Sequence, residues 1–438
     1  MSAAEISTCV NCTSGQIGRI KQKVPPATLH TIILATIVTL CITVTSGVCS
    51  KALSLSHPIF IEENTSNKDK IAYVSPIQNE ILNRENFVQK INKKYPAKYI
   101  SFPAYGVAHI KMTKYINQRP VKINIVEIDK SANSSLNIKP EIAGIKLNSR
   151  AQIKTIAQKH NSIVAVNAGY FKPQTGVPLG ALVINGEVLT GPIYNRVGIG
   201  IIEENNQTRF VMDKVAMNIT IKSNKSILKA DNINQPRMLS TYTIIYTPQW
   251  GNMSPMAAKY GKVAAVSNGK IIAMSANQIA IPKDGFVISA PAKILDKLAL
   301  ERNISYDIKL NETFKDADHI IGAGPYLVKG GEVFVDVTDQ KFASITGRNP
   351  RSAVGYNDKN ELIIVTIDGR EESSVGVTLT QLAYIMKGLG CTYAMNFDGG
   401  GSSVIYVNGR VTNSPAQTGG ISISNALTVF ETPSPSQT

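Results

Sequence analysis

The chain has 438 residues, 43% hydrophobic and 18% charged, with a net charge of +15. This is ordinary globular composition, too apolar for a disordered polyelectrolyte, and the length allows up to about three domains. Cys9, Cys12, Cys41 and Cys49 leave only Cys391 for the rest of the chain, which excludes a disulfide scaffold, and His30, His57, His109, His160 and His319 never reach the paired spacing of a classical zinc site.

The positive charge is scattered rather than blocked, with a single Trp and no zinc-finger or RNP-like motif, so no nucleic-acid partner is expected. A basic surface near an anionic envelope or polymer is the simpler reading. In chain order, Arg19, Lys21 and Lys23 precede the apolar run IILATIVTLCITV at 32–44, the pattern of a secretory signal. Counted from Leu29 to Val48, the run is also long enough to cross a bilayer. Small residues at Ser50 and Ala52 suit cleavage. Residues 1–50 are therefore expected to be a basic N-terminus with a signal peptide or membrane anchor. The rest is expected to be exported, to periplasm, envelope or exterior, touching membrane only through 29–48 if uncleaved. Cys9 and Cys12 form a C-x-x-C without a second pair, which falls short of a metal site.

Residues 51–100 are polar and rich in Asn, Lys and Glu, and read as a linker or stalk with a helix near 78–93. From Phe102 short Val- and Ile-rich runs recur: VKINIVEID (121–129), SIVAVNAG (162–169), GALVING (180–186), KVAAVSNGKII (262–272), ELIIVTIDG (361–369), TYAMNFDGG (392–400), SVIYVNG (403–409) and ISNALTVF (423–430). Each closes on Gly, Asn or Asp or runs between such residues, which is strand and turn chemistry. Helices are expected at 149–160, 290–302 and 378–390, the last opening on Thr378 and stopping at the glycines 388 and 390. Residues 101–431 are thus read as one α+β domain, a strand-rich mixed sheet with a few packed helices, and 432–438 as a tail.

Three of the strands end alike, in Asn167-Ala168-Gly169, in Asp368-Gly369, and in Asp398-Gly399-Gly400-Gly401-Ser402-Ser403. Each delivers a small polar side chain at a rigid strand end, followed by glycine that lets the backbone turn. If the strands share one sheet edge, two carboxylates and an amide converge, the arrangement used for glycoside cleavage. The glycine run lacks the lysine and following helix of a phosphate loop, yet successive free N–H groups there would form an anion nest. Ser402 and Ser403 add hydroxyls. Arg351 is the expected cation, with Arg348 its competitor, because guanidinium matches phosphate with a planar fork of donors. Tyr170 and Phe171 either stack on a sugar face or pack in the core.

These residues together resemble a known family, the phosphodiester glycosidases, related to the uncovering enzyme that removes N-acetylglucosamine from a phosphodiester. The resemblance covers roughly 100–430. It rests on VNAGYF (166–171) followed by PLGALVINGEV (178–188), on GAGPYLVKGG (322–331), RSAVGYN (351–357) and VTIDGR (365–370) with GVTLTQLAYIMKGLGC (376–391). AMNFDGGGSSVIYVNG (394–409) with SNALTVF (424–430) completes it. It implies an α+β fold and hydrolysis of a sugar-1-phosphodiester, on an envelope or exopolysaccharide glycan. The implied catalytic set is Asp398, Asp368, Arg351 and Asn167. The implied substrate-binding set is Gly169, Tyr170, Gly399, Gly400, Gly401, Ser402, Ser403, Asn396 and Asn425.

Family members often carry an Arg shortly before the last strand, whereas QTGGISISNAL (417–427) has none. A phosphate contact is then absent or comes from elsewhere in the chain. Asp398 is expected as nucleophile or as base toward water, with Asp368 in the second role or orienting Arg351. The reading requires no cofactor and leaves room for a divalent cation between Asp368 and Asp398. The competing reading is a non-catalytic envelope module that binds glycan or phosphate in the same cleft.

Overall fold

The eight segments expected as strands form strands: Arg119–Ile128, Val164–Asn167, Leu182–Ile184, Gly261–Ser267 with Lys270–Ser275, Leu362–Ile367, Tyr393–Asn396, Ile405–Val407 and Asn425–Glu431. The segment 262–272 is a hairpin, turning at Asn268 and Gly269 with φ of 49° and 68°, the backbone that a two-residue turn between twisted strands requires. The computed structural model describes residues 76–432 apart from positions 97, 206, 343, 344 and 346. The apolar run at 29–48, the first four cysteines and the tail from 433 lie outside the described residues. Among the described residues no helix is long and apolar enough to cross a membrane.

Among the described residues strand makes up 43% and helix 13%, with four helices, so this part of the fold is mostly β. Among the described residues the sheets are antiparallel except where Asn232–Ile233 pairs in parallel with Ile244–Tyr246, which makes that one sheet mixed. An eight-stranded sheet runs in the order Tyr99–Ala104, Val107–Ile116, Arg119–Ile128, Leu362–Ile367, Arg351–Tyr356, Tyr393–Asn396, Tyr326–Lys329 and Glu332–Val333. A five-stranded sheet runs Arg410–Val411, Ile405–Val407, Val164–Asn167, Asn425–Glu431 and Leu136–Ile142. A second five-stranded sheet places His319–Gly322 between Leu182–Ile184 and Val197–Glu204.

The inner faces of these three sheets share one core. Val126, Val354, Ile364 and Met395 of the large sheet pack with Val164, Val166, Ile405 and Leu427 of the second and Ile199, Ile201 and Ile321 of the third, all fully or nearly fully buried. Burial at about 25 cal/mol per Å² of apolar surface makes this layer contact the main force that brings the strand ends together. The other face of the large sheet is covered by the helices Pro76–Lys94 and Leu379–Gly388, through Phe87, Ile91, Leu382 and Met386. The first of these lies in the segment read as a linker. Its Phe87 and Ile91 stand four residues apart on one face, and Lys94 Nζ donates to the buried Glu127 (2.5 Å) and to the Leu389 carbonyl (2.9 Å). Two sheets remain: a three-stranded one of Ile227–Ala230, Met217–Lys222 and Ser305–Leu310, and a five-stranded one whose Gly261–Ser267 and Gly285–Pro291 pack on the helix Ala292–Leu298 through Leu295 and Leu298.

Leu379–Gly388 shows how local sequence sets an element. Gln381 N donates to Thr378 Oγ1 (3.2 Å), and Thr378 N donates to Gln381 Oε1 (3.0 Å), so two orphan amides of the first turn are satisfied. Gly390, at φ +91°, ends the run. Thr378→Ala should therefore lower stability by about 1 kcal/mol. In urea unfolding this appears as a lower midpoint at unchanged slope; an unchanged midpoint would mean that the buried face alone holds the helix.

Candidate functional site

The three similar strand ends do not lie on one sheet. Val164–Asn167 belongs to the second sheet, while Leu362–Ile367 and Tyr393–Asn396 belong to the large one, separated there by Arg351–Tyr356. What joins two of them, those at Asn167 and Asp398, is Asn167 itself, which is 1% exposed. Its Nδ2 donates to the Asp398 carbonyl (2.7 Å), and its Oδ1 accepts from Ser352 Oγ (2.7 Å) and from Val404 N (3.1 Å). The amide thus ties its own strand to both the large sheet and the glycine loop. Asp398 N donates to the Ala168 carbonyl (2.9 Å), which fixes the same junction from the other side. Asn167 is a positioning residue; every polar atom of its side chain is engaged.

Asp398 emerges from this junction half-buried. Its Oδ1 accepts from Gly399 N (2.9 Å) and its Oδ2 from Ser402 Oγ (2.6 Å). Burial pushes its pKa up to about 6, against the opposing effect of Ser402, the Gly399 amide and the Arg196 charge.

The expected nest of free amides is largely closed. Gly400–Ser402 forms a 3-10 turn, whose i to i+3 bonds take the amides of Ser402 and Ser403 (both 3.2 Å), while Gly400 N donates to the Pro350 carbonyl (2.9 Å). Of the amides from Gly399 to Ser403, only that of Gly401 makes no hydrogen bond among the described residues. The glycines serve close approach instead. Gly400 sits at φ +60°, and a Cβ there would lie 3.1 Å from Arg370 Nη2; a Cβ on Gly399 would lie 3.2 Å from the Pro350 carbonyl and 3.8 Å from Arg351 Nη1.

Those distances place two guanidinium groups against the loop. Arg351 is 2% exposed. Its Nε donates to the Val377 carbonyl (3.2 Å) and its Nη2 to the carbonyls of Ile345 and Gly347 (2.6 Å each), so its partners are carbonyls and Nη1 is turned to Gly399. Burial pulls its pKa down, without removing the charge at ordinary pH. Arg370 stands at φ +67°, directed to Gly400, with Nε and Nη2 donating to Asn349 Oδ1 (3.2 and 2.9 Å). Its charge is felt at Arg351.

A third arginine, Arg196, lies near enough for its charge to act on Asp398. Its guanidinium lies 5.0 Å from the ring centre of Tyr170 and 4.0 Å from that of Phe342, and it attracts Asp398, opposing the rise of that carboxyl's pKa. Arg348, the competitor of Arg351, donates Nη1 to the Gly376 carbonyl (3.0 Å). Arg370 stood within the VTIDGR motif, directly after the glycine that turns it. Arg196 carries no signal in sequence, because only the meeting of separate elements brings it to Asp398.

The remaining expected residues take supporting or separate places. Asn396 is fully buried, and its Nδ2 donates to Tyr170 Oη (2.9 Å) and to the Gly324 carbonyl (3.2 Å). Asn425, 2% exposed, accepts from Gly169 N through Oδ1 (2.7 Å). Ser403 is 1% exposed, with an Oγ that has no partner among the described residues. These residues hold the loop rather than line it. Tyr170 packs against Phe342, ring centres 5.2 Å apart, with its Oη donating to the Gly324 carbonyl (2.9 Å), and Phe171 is a core residue.

Asp368 is not brought to Asp398 by any bond. Its Oδ1 accepts from Ser414 N (2.9 Å) and Asn413 Nδ2 (3.1 Å), its pKa is raised by burial, and it lines a separate cavity of about 500 Å³. Among the described residues no group of three or more His, Cys, Asp or Glu side chains gathers where a metal ion could be held.

Residues 260–430 match the phosphodiester glycosidase family. The resemblance of this chain to that family stands. A 155-residue stretch is 28% identical to the SPbeta prophage-derived uncharacterized protein YomE of Bacillus subtilis (strain 168), covering 34% of this chain and 23% of that protein. A 66-residue stretch is 33% identical to the N-acetylglucosamine-1-phosphodiester alpha-N-acetylglucosaminidase of Bos taurus, covering 15% of this chain and 12% of the enzyme. The chain thus matches less than a quarter of either relative's length. A crystal structure of a hypothetical protein from Synechocystis shares the fold, with a TM-score of 0.69 at 24% identity over 77% of this chain and 64% of that one.

The raised pKa of Asp398 has a signature in stability. Its folded value of about 6 lies above the ~3.9 of an unfolded aspartate, so the folded state holds the extra proton between those values. Stability therefore falls as pH rises from about 4 to about 6 and levels off above. Asp398→Asn removes this penalty. It should melt above the parent at pH 7.5, and the gap should close toward pH 4; a gap that does not change with pH would show that the carboxyl ionises as freely in the fold as outside it.

Proposed function

We propose that this chain is an exported hydrolase that cleaves a sugar-1-phosphodiester, acting on a glycan of the envelope or exopolysaccharide. The observation that carries the reading is the company of Asp398: one half-buried carboxyl with a pKa of about 6, with Arg351 and Arg370 set against its glycine turn and the charge of Arg196 acting on it. The named activity of the bovine relative, on an N-acetylglucosamine-1-phosphodiester, supports the same linkage.

In the proposed reaction the bond between the anomeric carbon and the phosphate oxygen breaks. The electron pair leaves with the phosphate, as a phosphomonoester. That group is a good leaving group once its charge is met, so a second carboxyl acting as acid is not needed. This agrees with Asp368 being engaged by Asn413 and Ser414 instead. Arg351 and Arg370 meet the developing charge, in a site where fixed cations act through little water. Asp398, ionised, either takes the proton of the attacking water or attacks the anomeric carbon itself, in which case water then cleaves the glycosyl ester to give free sugar and restore the carboxylate; Ser402 and the Gly399 amide hold its two oxygens in place.

Both roles for Asp398 need the carboxylate, so kcat/KM for a sugar-1-phosphodiester should rise through about pH 6 and then level. Asp398→Asn should reduce release of free sugar by about 10³-fold or more, and Arg351→Ala or Arg370→Ala by about 10²-fold. Binding of a phosphoglycan with no sugar released by the parent chain over long incubation would select the non-catalytic module instead.

A further inference from the structure

Asp368, freed from the catalytic cluster, lines a groove of different character. Tyr99 pairs with Lys111, Lys111 with Asn124, and Thr113 with Lys122 across neighbouring strands. Directly opposed residues of antiparallel strands share a face, so Tyr99, Lys111 and Lys122 project to the same side of the large sheet. Asp368 follows the last pair of its strand, Ile367 with Ile123, and its amide donates to the Lys122 carbonyl (3.1 Å). Lys98, Ser414 and Thr412 complete the cavity. Lys111 Nζ lies 5.9 Å from the ring centre of Tyr99, which is 51% exposed. Lys122 Nζ donates to Ser373 Oγ (2.8 Å). The acid of the groove, Asp368, already accepts from Ser414 and Asn413. Thr412 Oγ1 is buried with no partner among the described residues.

A row of paired residues, buried between its ends, runs from the groove to the junction beneath the candidate site. Ser352, which donates to Asn167, pairs with Thr366; Thr366 pairs with Asn124; Asn124 pairs with Lys111. Three inter-strand steps of ~4.8 Å separate Ser352 from Lys111, about 15 Å in all. One side chain also links the two places directly, since Asn413 Nδ2 donates both to Asp368 and to the Ser403 carbonyl of the glycine turn (3.1 Å each). Lys111 and Lys122 lie on the face of the sheet that carries Ser352, whereas Arg351, the residue before Ser352, projects from the other. With Lys98 they set three cations against one acid of the cavity, Asp368, whose carboxyl feels Lys122. Such a surplus of positive charge, a few sugar units from the glycine turn, matches a ligand whose negative charge repeats.

We propose that Lys98, Lys111 and Lys122 form a second anion subsite, which holds a further phosphate-bearing unit of a polymeric phosphoglycan while another unit occupies the Asp398 site. The inference rests on the proposed reaction for its choice of polymer, and makes the substrate a chain rather than a short sugar phosphodiester. The aromatic ring of Tyr99 beside Lys111 offers an apolar surface to the sugar between charges.

The test uses the full chain carrying Asp398→Asn, so that substrate survives, with phosphomannan, inorganic phosphate and a DNA duplex of similar total charge as probes. Calorimetry at low salt should give phosphomannan an affinity that Lys111→Glu or Lys98→Glu lowers about tenfold each, the loss shrinking as salt is raised. In the catalytically intact chain, the ratio of kcat/KM for phosphomannan to that for its monomeric methyl phosphodiester should fall by a similar factor in the same variants. Phosphomannan binding indifferent to the lysines, inorganic phosphate competing at the lysines with no gain from polymer, or DNA bound as tightly as phosphomannan would each overturn the subsite. Should neither substrate be cleaved while phosphomannan binding still depends on the lysines, the subsite stands and the reaction falls; cleavage of the monomer with lysine-independent polymer binding gives the reverse.

Discussion

The amide of Asn167 is the constraint on which the rest of the site depends. It sits buried where two sheets meet, and it satisfies one carbonyl, one hydroxyl and one backbone amide from three other segments. A buried polar group without a partner costs about 1–3 kcal/mol, so the four segments are held to one register together. That register sets where Asp398 points, and through the Pro350 carbonyl and Gly399 it sets how close Arg351 comes. An aspartate here, with no N–H to offer the Asp398 carbonyl, would put a second negative charge beside the first.

Precision of this kind has a cost that the fold carries elsewhere. Asp398 is held where its ionised form is disfavoured, and Arg370 stands in a backbone region that non-glycine residues rarely enter. Neither feature stabilises the chain. Both persist because the three-sheet core and the helices behind the large sheet supply enough burial to over-determine the loop between them. The strained groups cluster at the glycine turn, as expected when local rules are broken for a site rather than for packing.

Much of this was legible in the sequence, and the parts that were not have identifiable reasons. The strand ends at Asn167, Asp368 and Asp398 were readable because a β-rich run closing on a polar residue and glycine is a local pattern. Which of them would meet was not, because two sheets stacked face to face bring Asn167 to Asp398 while the same sheet turns Asp368 to another groove. The glycine run was readable as a special backbone, but not as a closed 3-10 turn, since its amides are taken by i to i+3 bonds and by the Pro350 carbonyl. Val197–Glu204 was not among the expected strands; a Cβ at its Gly200 would lie 2.8 Å from Phe314 Cδ1, so packing by a distant aromatic, which no local pattern announces, requires that glycine. The helix Pro76–Lys94 was visible in a polar stretch, but its role as a cover for the large sheet lay in just two apolar positions, Phe87 and Ile91.

The charges of the site bear on the proposed function. Among the described residues Arg351 and Arg370 are held by carbonyl and amide oxygens, not by carboxylates. Arg196 lies against aromatic rings. Carbonyl dipoles orient a guanidinium but leave its charge uncompensated, and removing such a charge from water is unfavourable unless a counter-charge arrives. Asp398 is a single carboxyl among three cations and is itself partly protonated near pH 6. The cluster is therefore electropositive as it stands, and an anion entering beside Gly399 and Gly400 would complete it. A neutral glycoside would leave the two guanidinium groups as they were. A phosphodiester enters with one negative charge and leaves as a phosphomonoester with more, so attraction to the cations grows along the reaction, which is the condition for binding energy to lower a barrier rather than merely to hold a substrate.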